Sequence, residues 1–427
     1  MKRLKLLSVS AALALGLTAC STLNADTSDT INGSILITEG GSYTISEDIE
    51  GSVVVDASDD DIIEIILDGC SITSEDSAAI YVKNAGEVTV TAAGGTVSTL
   101  SNTTGFEPDG DTNVDGVIFS KDDLMISGTG TLIINSADHG IVSKDDLLIE
   151  GSTITINASG DGCQANGDLV IDDGTIDIES CVEGLEGTTV TVNGGSVTIV
   201  SSDDAVNASG ESGDSMISDP SCVVTVNGGT VDITTSGDGI DSNGDLIITG
   251  GYITISGPED SGNGSIDYAG SGSITGGTLI AAGMSGMEMN MTEASQGSIL
   301  IQTGSQSSGT TVSVTDSSGN ELMSFTPASS YNCLLISSPD LSVGQTYTIT
   351  AGGESQDVTL EDYISGGSAF ARSFDGREPN GTDGQTPPEL PDDFDGQTHP
   401  EFDGQTPPDS NGEQPPEGFD GQMSPER

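Results

Sequence analysis

The sequence predicts an all-β fold, a parallel β-helix whose short strands wind into stacked coils. The first observation is a repeat of 21 to 23 residues, clearest between residues 115 and 257. The second is that each repeat holds three short apolar strands between polar or Gly-rich turns, with no helix-length segment among them. The third is composition: Gly is 59 of 427 residues, aromatic residues are 4% and Trp is absent, which suits stacked strands and tight turns. A propeller blade needs about twice this repeat length, so a linear solenoid explains the period better.

Successive coils of such a fold pair in parallel at ~4.8 Å, so equivalent apolar side chains should stack in interior ladders. We expect tight corners with positive φ at Asn166 and Asn243, each of which is followed by Gly. The three predicted ladders are Ile141, Cys163, Leu185, Val206 and Ile240; Leu147, Leu169, Val190, Val224 and Leu246; and Ile154, Ile176, Val197, Val231 and Ile253.

Composition and periodicity divide the chain into five segments. Residues 1–19 are a predicted signal peptide and 20–30 a linker, and residues 31–285 form the predicted parallel β-helix. Residues 286–367 lose the period and are expected to form a small antiparallel β cap on the open end of the solenoid. Residues 368–427 are rich in Pro, Asp and Gly without an apolar period, which predicts a disordered tail.

The N-terminus carries the three parts of a lipoprotein signal in order. Lys2, Arg3 and Lys5 are followed by a short apolar run and then by Leu-Thr-Ala-Cys, which ends at Cys20. This resembles the bacterial lipobox and implies cleavage before Cys20 and a diacylglyceryl group on its sulfur. The alternative is an ordinary secretory peptide that is cleaved nearby. With either signal the protein is expected outside the cytoplasm, and with the lipobox it is anchored to the bacterial cell membrane or surface.

The chain is strongly acidic, with 9 basic and 68 acidic residues and a formal net charge of −59. Nucleic acid binding is excluded as a function class, because too few basic side chains remain to neutralise phosphates. Self-repulsion of this size destabilises a compact state unless cations neutralise it. Extracellular Ca²⁺ is the natural candidate. We expect a monomer that touches the membrane only through its lipid.

One predicted corner of the solenoid collects acids. A motif of an acid, Gly or Ala, an apolar residue and a polar or acidic residue begins at Asp161, Glu183, Asp204 and Asp238 in four coils. Carboxylates stacked ~5 Å apart repel one another, and a hard dication with oxygen ligands removes that cost. Oxygen ligands alone favour Ca²⁺ over Zn²⁺. The predicted Ca²⁺ ligands are Glu183, Glu186, Asp203, Asp204, Asn207, Asp238, Asp241 and Asp161.

The alternative interpretation is a solvated acidic face in a generally acidic protein. It is stronger at a second predicted ladder of acids, because Lys121 and Lys144 stand beside that ladder and can pair with it. The second ladder contains Asp122, Asp123, Asp145, Asp146, Asp168 and Asp245.

The repeated Ser-Lys-Asp-Asp-Leu, the Asp-Gly-Ile corner and the Gly-Gly-Thr-Ile/Val turns resemble a bacterial family of Ca²⁺-binding, carbohydrate-binding β-helix proteins. The resemblance covers about residues 31–360. It implies a right-handed parallel β-helix, bound Ca²⁺ and affinity for cellulose-like and polygalacturonate glycans. The family is similar to family 9 pectate lyases, whose Asp-Asp-x-x-Asp motif corresponds here to Asp203, Asp204 and Asn207. The preceding coil supplies Glu183 or Glu186. Asn207 departs from the motif and removes one charge.

A pectate lyase also needs a basic side chain that takes the proton α to the uronate carboxyl group. The sequence has no Lys after Lys144 and no Arg between Arg3 and Arg372, so the coils after the Asp203-Asp204 pair offer no such base. We therefore predict no catalytic residue and no enzymatic activity, with a polysaccharide lyase as the runner-up. An inverting hydrolase with two carboxylates stays open as a further alternative.

The predicted partner is an acidic polysaccharide, a pectin-type glycan such as polygalacturonate, held through Ca²⁺ that bridges two sets of carboxylates. A neutral glycan needs aromatic platforms, and the predicted solenoid holds only Tyr81, Tyr252 and Tyr268 beyond Tyr43. A surface adhesin or spacer without a glycan site is the alternative from another class.

Overall fold

The computed structural model describes residues 21–22, 30–31, 33–210 and 218–367, and all regular secondary structure in these ranges is β. The described chain contains no helix of the length and hydropathy needed to cross a membrane. The predicted signal peptide, Cys20 and the predicted tail from residue 368 lie outside the described residues.

The described strands fall into three stretches of the chain. The first contains β1 Ser21–Thr22, β2 Thr30–Ile31, β3 Ser34–Ile37, β4 Gly41–Ile45, β5 Ile49–Glu50, β6 Val53–Asp56, β7 Ile62–Leu67, β8 Ser71–Thr73, β9 Ile80–Asn84, β10 Glu87–Ala92 and β11 Val97–Asn102. The second contains β12 Gly116–Ser120, β13 Leu124–Ser136, β14 His139–Ser143, β15 Leu147–Asn157, β16 Cys163–Ala165, β17 Asp168–Cys181, β18 Leu185–Gly187, β19 Thr189–Val192, β20 Ser196–Ser201, β21 Val206–Ala208, β22 Val223–Val226, β23 Thr230–Thr235, β24 Asp241–Ser242, β25 Asp245–Ile248 and β26 Tyr252–Ser256. The third contains β27 Gly272–Ile274, β28 Thr278–Gly283, β29 Glu293–Ala294, β30 Gly297–Gln306, β31 Val312–Asp316, β32 Glu321–Phe325, β33 Tyr331–Ser338, β34 Thr346–Ala351, β35 Glu354–Thr359 and β36 Ile364–Ser365.

Most of these strands pair in parallel within two large sheets, which confirms the all-β, mostly parallel architecture. The larger sheet has 22 described strands and the second sheet has 10. In the second sheet, β3, β6, β9, β12, β14, β16, β18, β21 and β24 follow one another in order, and each pairs in parallel with the next. The winding of the chain as a solenoid and its handedness stay predictions.

The strand registers confirm the interior ladders. In the second sheet Ile141 is opposite Cys163, Cys163 is opposite Leu185, and Leu185 is opposite Val206. The larger sheet contains the other two ladders, residue for residue as predicted. All these side chains are buried and belong to one apolar cluster, because equivalent apolar positions one repeat apart must stack when the strands are in register.

Two of the three strands predicted for each repeat lie in the same sheet. In β13, β15 and β17 they join into one long strand that bends at a glycine with positive φ. Gly128, Gly151 and Gly174 have φ of 104°, 94° and 119°, and Gly128 and Gly151 are opposite each other. Glycine adopts this conformation without steric cost, so the chain turns its direction while the sheet continues.

The prediction of positive φ at Asn166 and Asn243 is wrong. Ser152 is the only residue other than glycine with positive φ in the described part of the chain. The glycines after both asparagines are needed for space instead. A Cβ atom at Gly167 would collide with the Asp146 carboxylate, and one at Gly244 with the Cys222 carbonyl oxygen.

The pairing changes direction after β29. β30 and β33 pair antiparallel with each other, and β33 also pairs antiparallel with β28. A separate four-stranded sheet, β32-β31-β34-β35, is entirely antiparallel, and it shares an apolar cluster with β28, β30 and β33 of the larger sheet, in which Ile349 and Tyr331 are buried. The parallel edge of the larger sheet is thus covered by antiparallel strands.

Candidate functional site

A row of polar side chains follows one register line of the second sheet. Gln164 of β16 is opposite Glu186 of β18, Glu186 is opposite Asn207 of β21, and Asn207 is opposite Asp241 of β24. The neighbours of these residues in the strands point into the core, because side chains alternate along a strand. The strands therefore present four polar groups side by side on the outer face.

The same line changes character towards the N-terminus. There Val142, Phe119 and Tyr81 occupy successive strands and are buried beneath other residues, among them Val114. The N-terminal part of this register line is thus apolar and buried, whereas its C-terminal part is polar and, apart from Asn207, only partly buried. Only the polar part can offer ligand atoms to solvent.

The corner that precedes these strands is a second line of acids. Oδ1 of Asp161 accepts the backbone N–H of Glu183 at 3.0 Å, and Oδ1 of Asp204 accepts that of Asp238 at 2.7 Å. Oδ1 of Asp238 accepts the N–H of Gly264 in the same way. Each carboxylate is therefore fixed by a backbone N–H of the following repeat.

The corner and the polar row meet at three aspartates. One carboxylate oxygen each from Asp204, Asp238 and Asp241 lies within 4.8 Å of the others, and all three residues are half-buried. Asp203 is exposed and lies outside this triad, although its charge acts on Asp204. The structure thus selects three of the eight predicted ligands as a compact group.

Asp267 belongs to the same neighbourhood and was missed in the sequence. Its backbone N–H binds the carbonyl of Ile240 and its carbonyl accepts the N–H of Ser242, which places it beside Asp241. Its negative charge acts on Asp204, Asp238 and Asp241. The available signal was an apolar residue followed by an acid, Ile266-Asp267, but the corner acid that opens the motif in the other coils is absent here.

Asn207 holds a buried acceptor that has no partner. Its Nδ2 donates to Oε2 of Glu183 at 3.0 Å, whereas its Oδ1 is buried without a hydrogen-bond donor. The residue is 9% exposed. A buried acceptor without a donor costs about 1–3 kcal/mol, so such an atom in a native fold indicates a missing partner.

The cluster raises the pKa values of its own carboxyl groups. Burial, followed by the charges of neighbouring carboxylates, raises the pKa of Glu183 to about 8 and that of Asp238 to about 8. Burial with the neighbouring charges raises the pKa of Asp241 to about 7 and that of Asp204 to about 6. Within the described ranges, no lysine, arginine or histidine forms an ion pair with any of these four residues. The site therefore lacks an internal counter-charge.

The other predicted ligands lie at the margin of this cluster. Glu186 accepts from Nε2 of Gln164 at 2.6 Å and from Oγ of Ser209 at 3.3 Å. Asp161 is buried, and its Oδ2 lies 3.0 Å from Nδ1 of His139. Burial alone would lower the pKa of His139. The charges of Asp161 and the nearby aspartates outweigh burial, so the pKa is raised. Asp161 and His139 thus form the end of the acid corner.

The second predicted acid ladder also forms a group, at Asp123, Asp145 and Asp146. Burial, with the charge of Asp145 and others, raises the pKa of Asp123 to about 6. Lys144 does not pair with these aspartates. Its Nζ lies 3.7 Å from Asp115 and 5.3 Å from the centre of the Phe119 ring.

A family model matches the first half of the chain. Residues 32–213 match a family model described as "Carbohydrate-binding domain-containing protein". This stretch resembles a carbohydrate-binding domain. The match includes Asp161, Glu183, Asp204 and Asn207, whereas the coils that supply Asp238 and the later aspartates lie beyond it.

One curated relative and one solved structure are similar to this chain. A protein of Acetivibrio thermocellus described as carbohydrate-binding domain-containing protein is 35% identical over 109 residues, which are 25% of this chain and 38% of that protein. The structure of a polysaccharide lyase-like protein from C. thermocellum, a gadolinium derivative, is 26% identical with a TM-score of 0.43, covering 58% of this chain and 91% of the other. The family match and the relative support a carbohydrate-related function.

Proposed function

We propose that this protein binds an acidic polysaccharide of the polygalacturonate type through Ca²⁺ at the acid cluster, and does not cleave it. The observation that carries the proposal is the unpartnered Oδ1 of Asn207 beside carboxylates that have no basic partner. Carbohydrate binding is the function that the family match supports.

The residues present fit a hard cation. Asp204, Asp238 and Asp241 supply three carboxylate oxygens, and Asn207 supplies a neutral amide oxygen that otherwise lacks a donor. Glu183 stands within hydrogen-bonding distance of Asn207 and can join them. Ca²⁺ takes six to eight oxygen ligands of this mixed kind, whereas the site offers no thiolate or imidazole among these residues.

The charge of the ligand follows from the charge of the protein. Ca²⁺ bound by these carboxylates supplies a bridging charge to a second set of carboxylates, those of the uronate units. Without that bridge an acidic glycan is repelled by a chain with a net charge of −59. The surrounding carboxylates therefore make binding dependent on the cation.

The absence of cleavage rests on the placement of basic groups. Within residues 33–367 the lysines are Lys83, Lys121 and Lys144, and no arginine occurs. Lys83 is paired with Asp109 at 2.7 Å, and Lys144 is 3.7 Å from Asp115. Lys121 follows β12, which β14, β16 and β18 separate from β21 in the second sheet, so it does not stand at the acid cluster. A lyase needs an unpaired base beside the bound uronate. The lyase alternative would need His139 in that role, but its Nδ1 lies 3.0 Å from Oδ2 of Asp161, and against the effect of burial the nearby aspartates raise its pKa and so favour the protonated form, which cannot take up a proton.

The proposal includes the location and shape expected from the sequence. We place the protein outside the cytoplasm, held by a lipid on Cys20, with its coils wound as a right-handed parallel β-helix. A row of coils suits a polymer, because successive coils present similar groups at the strand spacing.

The first prediction concerns the double variant Asp204→Asn, Asp238→Asn. It should lower the affinity for immobilised polygalacturonate in millimolar Ca²⁺ by about tenfold or more, which corresponds to about 1.4 kcal/mol. EDTA should have the same effect on the parent protein, and in Ca²⁺ neither protein should release unsaturated product, followed by its ultraviolet absorbance.

The matched control is Asp173→Asn, Asp177→Asn on β17, which removes the same charge away from the cluster. It should bind like the parent. Binding by the parent that survives EDTA unchanged contradicts the Ca²⁺ bridge, and absorbance growth in proportion to protein concentration contradicts the absence of cleavage.

A further inference from the structure

A cleft of about 410 Å³ lies where the parallel strands give way to the antiparallel ones. Its walls come from the segments after β27 and β29, from the loop between β33 and β34, and from the residue before β36. The cleft shares no lining residue with the acid cluster and lies outside residues 32–213. Its lining includes no charged side chain among the described residues, in a chain with 68 acids.

The cleft carries an exposed apolar platform. Tyr363 is 43% exposed and Val343 is 42% exposed, which places both among the few large apolar side chains open to solvent, and Pro339 lies on the same wall. In contrast, Tyr81 and Tyr268, two of the few aromatic residues of the predicted solenoid, are buried. An exposed tyrosine ring beside aliphatic groups is the surface on which the C–H face of a sugar ring stacks.

One residue of the cleft lining also holds an acceptor without a donor. Gln296 is 5% exposed, and its Oε1 is buried without a hydrogen-bond partner. Its Nε2 donates to the carbonyl of Gly277 at 2.9 Å and to Oγ of Ser337 at 3.0 Å. Ser337 in turn donates to the carbonyl of Gly297.

These contacts fix the orientation of the Gln296 amide. A flipped amide would set Oε1 against the carbonyl of Gly277, and Ser337 has no proton left to give, because it donates to Gly297. Oε1 therefore needs a donor from outside the protein, and a hydroxyl group is one that an uncharged ligand offers. Exposed Ser295 and Thr275, which also line the cleft, add further hydroxyl groups.

The walls are tied in place by the backbone. The N–H of Gly297 binds the carbonyl of Leu341 at 2.9 Å, and the N–H of Ser298 binds the carbonyl of Tyr363 at 2.7 Å. Both wall segments are thus hydrogen-bonded to the start of β30. A preformed cleft of this kind avoids the cost of ordering its walls when a ligand binds.

We propose that this cleft is a second, cation-independent binding site for an uncharged saccharide, with the sugar ring on Tyr363 and one sugar hydroxyl donating to Oε1 of Gln296. The site goes beyond the Ca²⁺-dependent binding proposed above, because it uses different residues and a ligand of different charge.

The second prediction tests this site with cellotetraose, xylotetraose and mannotetraose in EDTA, by calorimetry and ligand-observed NMR. At least one should bind, and Tyr363→Ala should weaken it by about tenfold or more, since the stacking face is lost. Val343→Arg, an exposed substitution that fills the cleft, should do the same. Tyr363→Phe keeps the ring and should bind within about threefold of the parent.

Two controls separate this site from the acid cluster. Tyr252→Ala removes another exposed tyrosine, on β26, and should leave the affinity unchanged. Asp204→Asn, Asp238→Asn should also leave it unchanged, although it weakens the proposed polygalacturonate binding. The proposal is overturned if none of the three tetrasaccharides binds at millimolar concentration. It is equally overturned if binding persists in both Tyr363→Ala and Val343→Arg, or is lost in the aspartate variant.

Discussion

At the scale of single residues, the side chain of Asn207 can donate a hydrogen bond to a neighbouring carboxylate, which an ionised aspartate at the same position could not do. In the motif that the sequence resembles, an acid stands at this position. Here the Nδ2 group donates to Glu183 at 3.0 Å, so one member of the acid cluster has a hydrogen-bond donor even without a cation. The same contact turns Oδ1 away from Glu183 and leaves it free for an external partner. The residue therefore lowers repulsion within the cluster and keeps one ligand atom.

The third prediction is that Asn207→Asp destabilises the protein in EDTA. It replaces a buried donor–acceptor pair by two facing carboxyl groups, a loss of about 1–3 kcal/mol. For a chain of this length, with an unfolding entropy of about 2.1 cal/mol/K per residue, each kcal/mol lowers the thermal midpoint by about 1–2 °C. Millimolar Ca²⁺ should restore the midpoint, because the introduced carboxylate would then be a ligand of the cation.

The matched control is Asn193→Asp, which changes an exposed amide that donates to Asp172 at 2.6 Å. Solvent screens that pair, so the midpoint should change little with or without Ca²⁺. An equal loss in both variants would show that the environment of Asn207 is not special.

At the scale of elements, the bent strands β13, β15 and β17 depend on glycine. Gly151 has a φ of 94°, and a Cβ atom there would lie 2.7 Å from the carbonyl oxygen of Gly128 in the preceding coil. The bend therefore requires a positive φ and a close contact between neighbouring strands. A side chain at Gly151 would lose free energy of unfolding in two ways, through backbone strain and through a steric collision.

The fourth prediction separates those two effects with two alanine substitutions. Gly95→Ala introduces only the backbone strain, because its φ is 80° and no atom lies within 4 Å of the added Cβ. That strain is about 1–2 kcal/mol. Gly151→Ala adds the collision and should lose clearly more free energy of unfolding, as measured by urea denaturation. Equal losses would show that neighbouring coils move apart easily.

At the scale of the whole molecule, charge is unevenly distributed along the described chain. The lysines of residues 33–367 all lie between Lys83 and Lys144, and no basic side chain follows them up to residue 367. The acid cluster lies in the coils that follow. Stability should therefore depend on protons or cations that neutralise these coils.

The fifth prediction is that stability in EDTA falls as the pH rises from about 6 to about 8.5. Burial and neighbouring charges raise the pKa of Glu183 and of Asp238 to about 8 in the folded chain. The folded state thus holds protons that the unfolded state has released, and this stabilising contribution is lost as the pH passes the folded pKa. Thermal midpoints measured across this range check it.

Two further measurements of thermal midpoint against pH test whether these carboxyl groups cause the dependence. Glu183→Gln, Asp238→Asn removes the titrating groups and should flatten the dependence in EDTA. Millimolar Ca²⁺ should flatten it in the parent, since ionised carboxylates are then neutralised. A midpoint that rises with pH in EDTA would contradict the proposed balance of charge.

The sequence by itself determined the all-β class, the parallel pairing and the register of the ladders. A repeat with apolar residues at fixed positions allows only one alignment that buries them all, because a slip of one residue exposes the whole set. For the same reason it placed Asp204 in one repeat and Asp238 and Asp241 in the next. The interior ladder from Ile141 to Val206 is confirmed residue by residue.

The tertiary structure alone decided which acids meet and which atoms are left without partners. Asp267 joins the cluster through its register beside Asp241, although its corner motif is incomplete. The cleft at Gln296 and Tyr363 brings together segments far apart in the chain, and no local pattern marks it. Whether a buried acceptor has a donor depends on contacts between segments that are distant in the chain. The periodicity of the sequence describes only positions that recur in each repeat, so it cannot predict such contacts.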